Sequence, residues 1–245
     1  MVVGSFLDPV VYKGFDTVIA AVGNNIMRLQ PAMIEAAAGA GVTHFVPSEF
    51  GADLMQKGIA GRRYFRDKQV TRDHLRMKAK EVKAFQYTLV LTGSFSEWTP
   101  TSFWGFDNEK NTVTLYGRPD ALVDTTAIAD VARYIVGSLL IPFEGSERTI
   151  RVRGWQGTAT EVIRALEHAR GLKYDVSFHD EKEMALKQEE ARLGHDENME
   201  LGYSAMPLLA SGYSIVNGKG EELDVEKFDF KPETFPETLE RLYKK

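Results

Sequence analysis

The chain of 245 residues contains no cysteine. That absence excludes disulfides, thiolate zinc sites, iron–sulfur clusters and a cysteine nucleophile together. Long hydrophobic runs are missing as well, since none approaches the roughly 18 residues that span a bilayer. The segment from Met1 lacks a charged stretch followed by an apolar core, so neither an anchor nor a secretory leader is expected, and the expected location is cytoplasmic. Positive charge is not in excess, with 30 Lys and Arg against 35 Asp and Glu and a formal charge of -5. With no basic stripe to track a phosphate backbone, nucleic acid is not an expected partner. His44, His74, His168, His179 and His195 fall at no metal-ligating spacing, and neither an HExxH nor a GxSxG string occurs. No metal is expected.

What is present is an ordinary globular composition, 43% hydrophobic and 27% charged. Thr17 to Val22 is a short apolar run closed by Gly23-Asn24-Asn25, the pattern of a buried strand ending in a turn. Apolar residues then recur at helical spacing from Ile26 to Ala40, with Pro31 tolerable only in the first turn and Gly39 and Gly41 as the stop. Val42 to Pro47 reads as a second strand, Lys68 to about Lys83 as a helix, and Tyr87 to Thr92 as a third strand. This alternation specifies an α/β fold built on a parallel sheet. Thr112 to Tyr116 and Ala121 to Val123 read as strands of a hairpin or edge, with Gly117-Arg118-Pro119-Asp120 as the turn between them. Thr125 and Thr126 are placed to cap a helix running to about Leu140. Arg148 to Val152 reads as a strand, Thr158 to Ala169 as a helix capped by Thr158 or Thr160, Tyr174 to Phe178 as a strand, and Asp180 to Arg192 as a solvated helix.

The string Val42-Thr43-His44-Phe45-Val46-Pro47-Ser48-Glu49-Phe50-Gly51, with Tyr87-Thr88-Leu89-Val90-Leu91-Thr92-Gly93-Ser94-Phe95, closely resembles the isoflavone reductase-like and NmrA-like family of atypical short-chain dehydrogenases. Gly4 to Asp8, Gly14 to Ile19 and Phe235 to Glu240 extend the resemblance over nearly the whole chain. It implies a truncated NAD(P)-binding Rossmann-type parallel sheet with a smaller C-terminal α/β substrate lobe. Residues 1–145 are expected to form the incomplete Rossmann-like domain, with part of the substrate lobe from about residue 95, and residues 146–245 the C-terminal substrate-lobe segment. Family members carry an earlier strand, a GxxGxxG turn, a helix and a second strand, and the turn holds the dinucleotide pyrophosphate on backbone amides. The sequence has no such turn, so the implied cofactor is NADP(H) with its binding expected to be weakened or lost. Gly58-Ile59-Ala60-Gly61 reads as a flexible loop and not as a replacement. Gly23-Asn24-Asn25, after a strand and before a helix, either caps that helix through an asparagine or offers amides to a phosphate.

The resemblance also implies site residues. Reductases of this family place a lysine near the nicotinamide, as an acid or as a charge that stabilises a developing enolate. Lys68 is the best match, with Lys78 and Lys80 as alternatives, and Glu49 is a second candidate for proton movement. The plain reading of Lys68 is a solvated lysine at a helix start, paired with Asp67 or Asp73. A Tyr-xxx-Lys spacing, the acid site of typical short-chain dehydrogenases, is also present at Tyr64 and Lys68. Cofactor contacts are implied for Gly23, Asn24, Ser48, Phe50, Gly51, Gly93 and Phe95, although Gly51 also suits a plain turn and Phe95 a core. Trp98, Phe103 and Trp104 are candidates to cover a flat apolar substrate, or helix-face core residues. His44, inside an apolar strand, reads as core or rim.

In the family's sheet the strand from Thr17 lies beside the missing first strand, so it is expected to be an exposed apolar edge that invites pairing. Cover by Met1-Val2-Val3 or by a second copy, giving a homodimer, is the expectation. Three functions remain open: an NADP-dependent reductase of an aromatic or polyketide-like secondary metabolite, a cofactor-independent isomerase or cyclase using the same pocket, and a non-catalytic dinucleotide sensor or regulator. The enzymatic readings take a small-molecule substrate. The Ser48 to Gly51 loop and Lys68 favour the enzymes, with the reductase first.

Overall fold

A computed structural model describes residues 3–56, 58–59 and 61–244. In chain order its elements are β1 (Thr17–Ile19), α1 (Gln30–Gly39), β2 (His44–Val46), α2 (Arg63–Glu81), β3 (Gln86–Leu91), β4 (Ser94–Phe95), β5 (Phe106–Asp107), β6 (Thr112–Tyr116), β7 (Leu122–Thr126), α3 (Ile128–Ser138), β8 (Glu147–Arg151), β9 (Trp155–Thr158), α4 (Ala159–Arg170), β10 (Asp175–His179), α5 (Glu181–Leu193), α6 (Glu197–Ala205) and α7 (Phe235–Tyr243). No helix among the described residues is long and apolar enough to cross a membrane.

β1, β2, β3 and β8 form one sheet in that order, each strand parallel to its neighbour. Parallel neighbours need crossover connections, and α1 and α2 supply the first two. Alternate side chains leave a strand on opposite faces. Phe45, Tyr87 and Leu89 join Ile34 and Ala37 of α1 and Leu75 of α2 in one core. Val46, Val90 and Ile150 meet Val131, Tyr134 and Ile135 of α3 in another. A sheet covered on both faces requires apolar residues at both registers, which is why β2 and β3 read as continuous apolar runs. β8, at 147–151, lies past the expected boundary at 145 and belongs to this same sheet.

β1 is shorter than its apolar run because a side chain takes over from the ladder. Ala20 N still donates to Val46 O at 2.8 Å, but at Val22 the Ser48 hydroxyl accepts from the amide (3.2 Å) and donates to the carbonyl (2.9 Å). β1 has β2 as its one neighbour among the described residues, and Ile19 on it is exposed. Val3 is exposed too, and Met1 and Val2, expected to cover this edge with it, lie outside the described residues. The flexible loop expected at 58–61 is described only in part, since Ala60 also lies outside them.

Three local expectations are corrected. α2 begins at Arg63, five residues before Lys68, because the Tyr64 amide of its first turn donates to Ser204 Oγ (2.9 Å), a cap supplied by α6. β6 and β7 do not form a hairpin: β6 lies between β10 and β5, and β7 between β4 and β9. The connection is docked elsewhere, Gly117 N donating to His179 O (2.9 Å) and Arg118 N to Ala210 O (2.7 Å). Thr125 and Thr126 lie inside β7 and do not cap α3, whose first amide, that of Ile128, instead donates to Glu97 Oε2 at 3.0 Å.

The remaining strands and helices enclose a further core. Val113 and Leu115 of β6, Val162 and Leu166 of α4, and Leu239 of α7 are buried there with Phe65, Trp104 and Leu208. Thr158 and Glu161 form a capping box on α4, and Thr234 and Glu237 form the same device on α7.

Candidate active site

A cavity of about 450 Å³ opens where β1, β2 and β3 deliver their carboxyl ends, the position at which open parallel sheets bind ligands. Asn24 reaches it from beyond β1, Phe50 and Gly51 from beyond β2, and Gly93 and Phe95 from beyond β3. Tyr64, Phe65 and Lys68 line it from α2, and Trp98, Phe103 and Trp104 from the segment after β4. Seven of the sixteen lining residues are aromatic, so the space is apolar and suited to a flat ring.

The charged group in this wall is Lys68. Phe65, Lys68, Arg72 and Leu75 form the buried stripe of α2, so two cations interrupt what is ordinarily an apolar face. Lys68 is 7% exposed, and its Nζ donates a hydrogen bond to the Glu49 carbonyl. Burial holds its pKa below the ordinary lysine value; the neighbouring Glu49 charge raises it and the Arg72 charge lowers it. Asp67 is turned to Arg63 (3.5 Å) and Arg66 (3.4 Å), and Asp73 to Arg76 (3.0 Å), so neither pairs with Lys68. Lys78 pairs with Glu35 and Glu81 at the far end of α2, and Lys80 is exposed.

Glu49 does not line the cavity. Its carboxylate is 2% exposed and gripped at two points by Arg72, Nε to Oε1 and Nη2 to Oε2, each 2.9 Å. Phe50 follows at φ 23, a conformation that L side chains rarely adopt. Gly51 then passes Lys68 so closely that a Cβ on it would lie 3.3 Å from Nζ. Thr92 N and Gly93 N donate to the Gly51 carbonyl at 3.0 and 3.1 Å, binding the turn to the end of β3.

Ser48 and Gly23 also stay out of the wall, Ser48 buried in its bonds to Val22 and Gly23 exposed in the turn after β1. Asn24 caps no helix: a 3-10 turn at Met27–Leu29 with no side-chain cap precedes α1, and Asn24 shares the cavity wall with Tyr64. Burial raises the Tyr64 phenol above its ordinary value. Phe95 meets Trp98 edge-on at 5.2 Å, and Phe103 meets Trp104 at 4.9 Å. Trp104 is buried, whereas Trp98 and Phe103 are exposed at the mouth, 60% and 38%. His44 is a rim residue away from this cavity, Nε2 to Thr88 Oγ1 at 2.9 Å. Among the lining residues, Phe65, Thr101, Leu208 and Ser214 carry no sequence signal for a site, whereas the Tyr64 to Lys68 spacing does. No group of three or more His, Asp or Glu among the described residues is placed to hold a metal ion.

Comparison with known proteins agrees with this architecture. An oxidoreductase of Aspergillus flavus, aprR, is 29% identical over 219 residues, which are 88% of this chain and 71% of the relative. The crystal structure of isoflavone reductase superposes with a TM-score of 0.73 at 22% identity, covering 98% of this chain and 80% of the other. A structure of AtPrR2 with NADP+ and (+)pinoresinol superposes with a TM-score of 0.71 at 19% identity, covering 97% and 80%. These two share the fold, an α/β architecture on a Rossmann-like parallel sheet. The model of the NmrA-like family matches residues 9–204, from the turn before β1 into α6, and the protein belongs to that family.

Proposed function

We propose that this protein is an NADP(H)-dependent reductase of a flat aromatic or polyketide-like small molecule, with Lys68 as the group that acts at a substrate oxygen. The observation that carries the reading is a buried ammonium with no carboxylate partner among the described residues, set in the wall of an aromatic cavity at the strand ends. The relatives support it, one described as an oxidoreductase and another solved with NADP+ and (+)pinoresinol.

The donor set fits the nicotinamide end of NADP(H). Gly51 lines the wall without a side chain, Phe50 and Phe95 offer ring faces, and Lys68 offers N–H donors in apolar surroundings. When bound, the cofactor supplies the hydride. An ammonium has three donors; the Glu49 carbonyl takes one from Lys68, and two remain for a ligand. Lys68 directs these at a substrate carbonyl oxygen and stabilises negative charge developing there, an effect strengthened where water is excluded. Its lowered pKa makes it a readier proton donor than an ordinary lysine. Phe65, Tyr64 and Trp104 orient the substrate ring, and Trp98 and Phe103 cover it at the mouth.

A cofactor-independent isomerase or cyclase is the second reading, favoured by the lowered Lys68 pKa, because such a lysine moves a proton without a hydride. Isothermal titration with NADPH separates the two. Saturable binding tighter than about 100 µM, about -5.5 kcal/mol, followed by NADPH oxidation in the presence of aromatic ketones or quinones, is the expected result. No binding up to millimolar NADPH turns the assignment to the second reading.

A further inference from the structure

Glu49 and Arg72 are buried, charged and unused by the proposed reaction. Arg72 is one helical turn beyond Lys68 on α2, so the two side chains leave the helix on the same face. Both take hold of Glu49. Arg72 grips the carboxylate at two points, 2.9 Å each, and Lys68 donates to the carbonyl of the same residue. A two-point guanidinium grip fixes the orientation of a carboxylate as well as its charge. Phe50, next in the chain, sits at φ 23. Strained backbone of this kind persists only where its surroundings over-determine it. Here the restraints are the Arg72 grip on one side and the Thr92 and Gly93 amides on the Gly51 carbonyl on the other.

We infer that Arg72 and Glu49 are positioning residues, an ion pair that holds the Glu49 to Gly51 turn so that the Glu49 carbonyl aims the Lys68 ammonium, and that withholds from Lys68 the carboxylate beside it. The inference rests on Lys68 being the acting group in the proposed function. The pair is neutral as a whole, so the cation that faces the cavity stays uncompensated. Glu49 and Arg72 act on the Lys68 charge, Tyr64 lines the same cavity one turn earlier, Asp67 is turned to Arg63 and Arg66, and Asp53 acts on Arg72.

The test follows the Lys68 titration directly, by NMR of protein labelled at the lysine Cε carbons, with the Lys68 signal assigned from Lys68→Met. It needs neither substrate nor cofactor. In Arg72→Met the freed Glu49 carboxylate turns to Lys68 and the midpoint moves up; in Glu49→Gln the unpaired guanidinium repels it and the midpoint moves down; in the double variant it returns toward that of the parent. Where Arg72→Met does not fold, Arg72→Lys carries the test: one point of the grip is lost, a carboxylate oxygen is released, and the midpoint still moves up. Midpoints equal to the parent's in the folded single variants overturn the inference. Because the titration is independent of turnover, equal midpoints with intact NADPH oxidation overturn the positioning role alone, and shifted midpoints without NADPH oxidation overturn the reductase reading alone.

Discussion

Gly93 lies so close to Asp124 that a Cβ on the glycine would stand 2.3 Å from the Asp124 carbonyl oxygen. The contact joins the cavity to β7, because Asp124 is buried there and held by Arg153, Gln156 and the Val216 amide. Gly93 also has φ 67, in the left-handed region. Gly93→Ala therefore meets backbone overlap and backbone strain together, and is expected to destabilise the protein by at least about 2 kcal/mol. Chemical denaturation checks this, and a midpoint equal to the parent's would contradict the close approach.

Lys68→Met is expected to separate activity from stability. Removing the donor at the substrate oxygen is expected to lower turnover by about 10²–10⁴-fold. The melting temperature should hold or rise, because a buried ammonium with no counter-ion among the described residues is replaced by an apolar chain of similar length. Turnover at the parent's level in a folded Lys68→Met protein would remove Lys68 from the reaction.

Trp98 is 60% exposed, yet rests edge-on against Phe95 at the mouth of the cavity. Trp98→Ala should change stability by less than about 0.5 kcal/mol. A ring that covers a bound aromatic substrate should reveal itself as KM raised up to about tenfold with kcat little changed. Steady-state kinetics with a flat aromatic ketone distinguishes this from a plain surface residue, for which both parameters stay put.

His44 carries a pH dependence of stability. Burial and the Arg148 charge lower its pKa from 6.5 to about 4. Between those values the unfolded chain takes up a proton that the folded chain refuses, so this contribution is full above about pH 6.5 and is lost as pH falls toward 4. Below that the folded state is protonated too and the loss stops growing. The melting temperature of His44→Gln, followed over the same range, should fall less steeply than the parent's. Parallel curves would show that His44 titrates normally in the fold.

Much of this architecture was legible in the residues because it depends on neighbours in sequence. The apolar runs at Thr17, Val42 and Tyr87, broken by turn residues, determine three strands, the latter two buried on both faces, and their alternation with helical spacing determines a parallel sheet. Thr158 with Glu161 sets the start of α4 within a single helical turn. The family resemblance marked the loops after β2 and β3, and with them Phe50, Gly51, Gly93 and Phe95 at the cavity. What only the tertiary structure decided depends on segments far apart in the chain. Lys68 could be read as a solvated helix-start lysine until Ser204 of α6 extended α2 back to Arg63 and set Lys68 in the second turn against Glu49. The Glu49 carboxylate is held by Arg72 outside the cavity wall, a pairing that no local pattern announces. β6 and β7, adjacent in sequence, are drawn into different sheets by β10 and β9, because a turn signal says where the chain bends and not which strand it meets. Periodicity is a local property and encodes which face of an element is buried; the partner of a buried charge is set by packing.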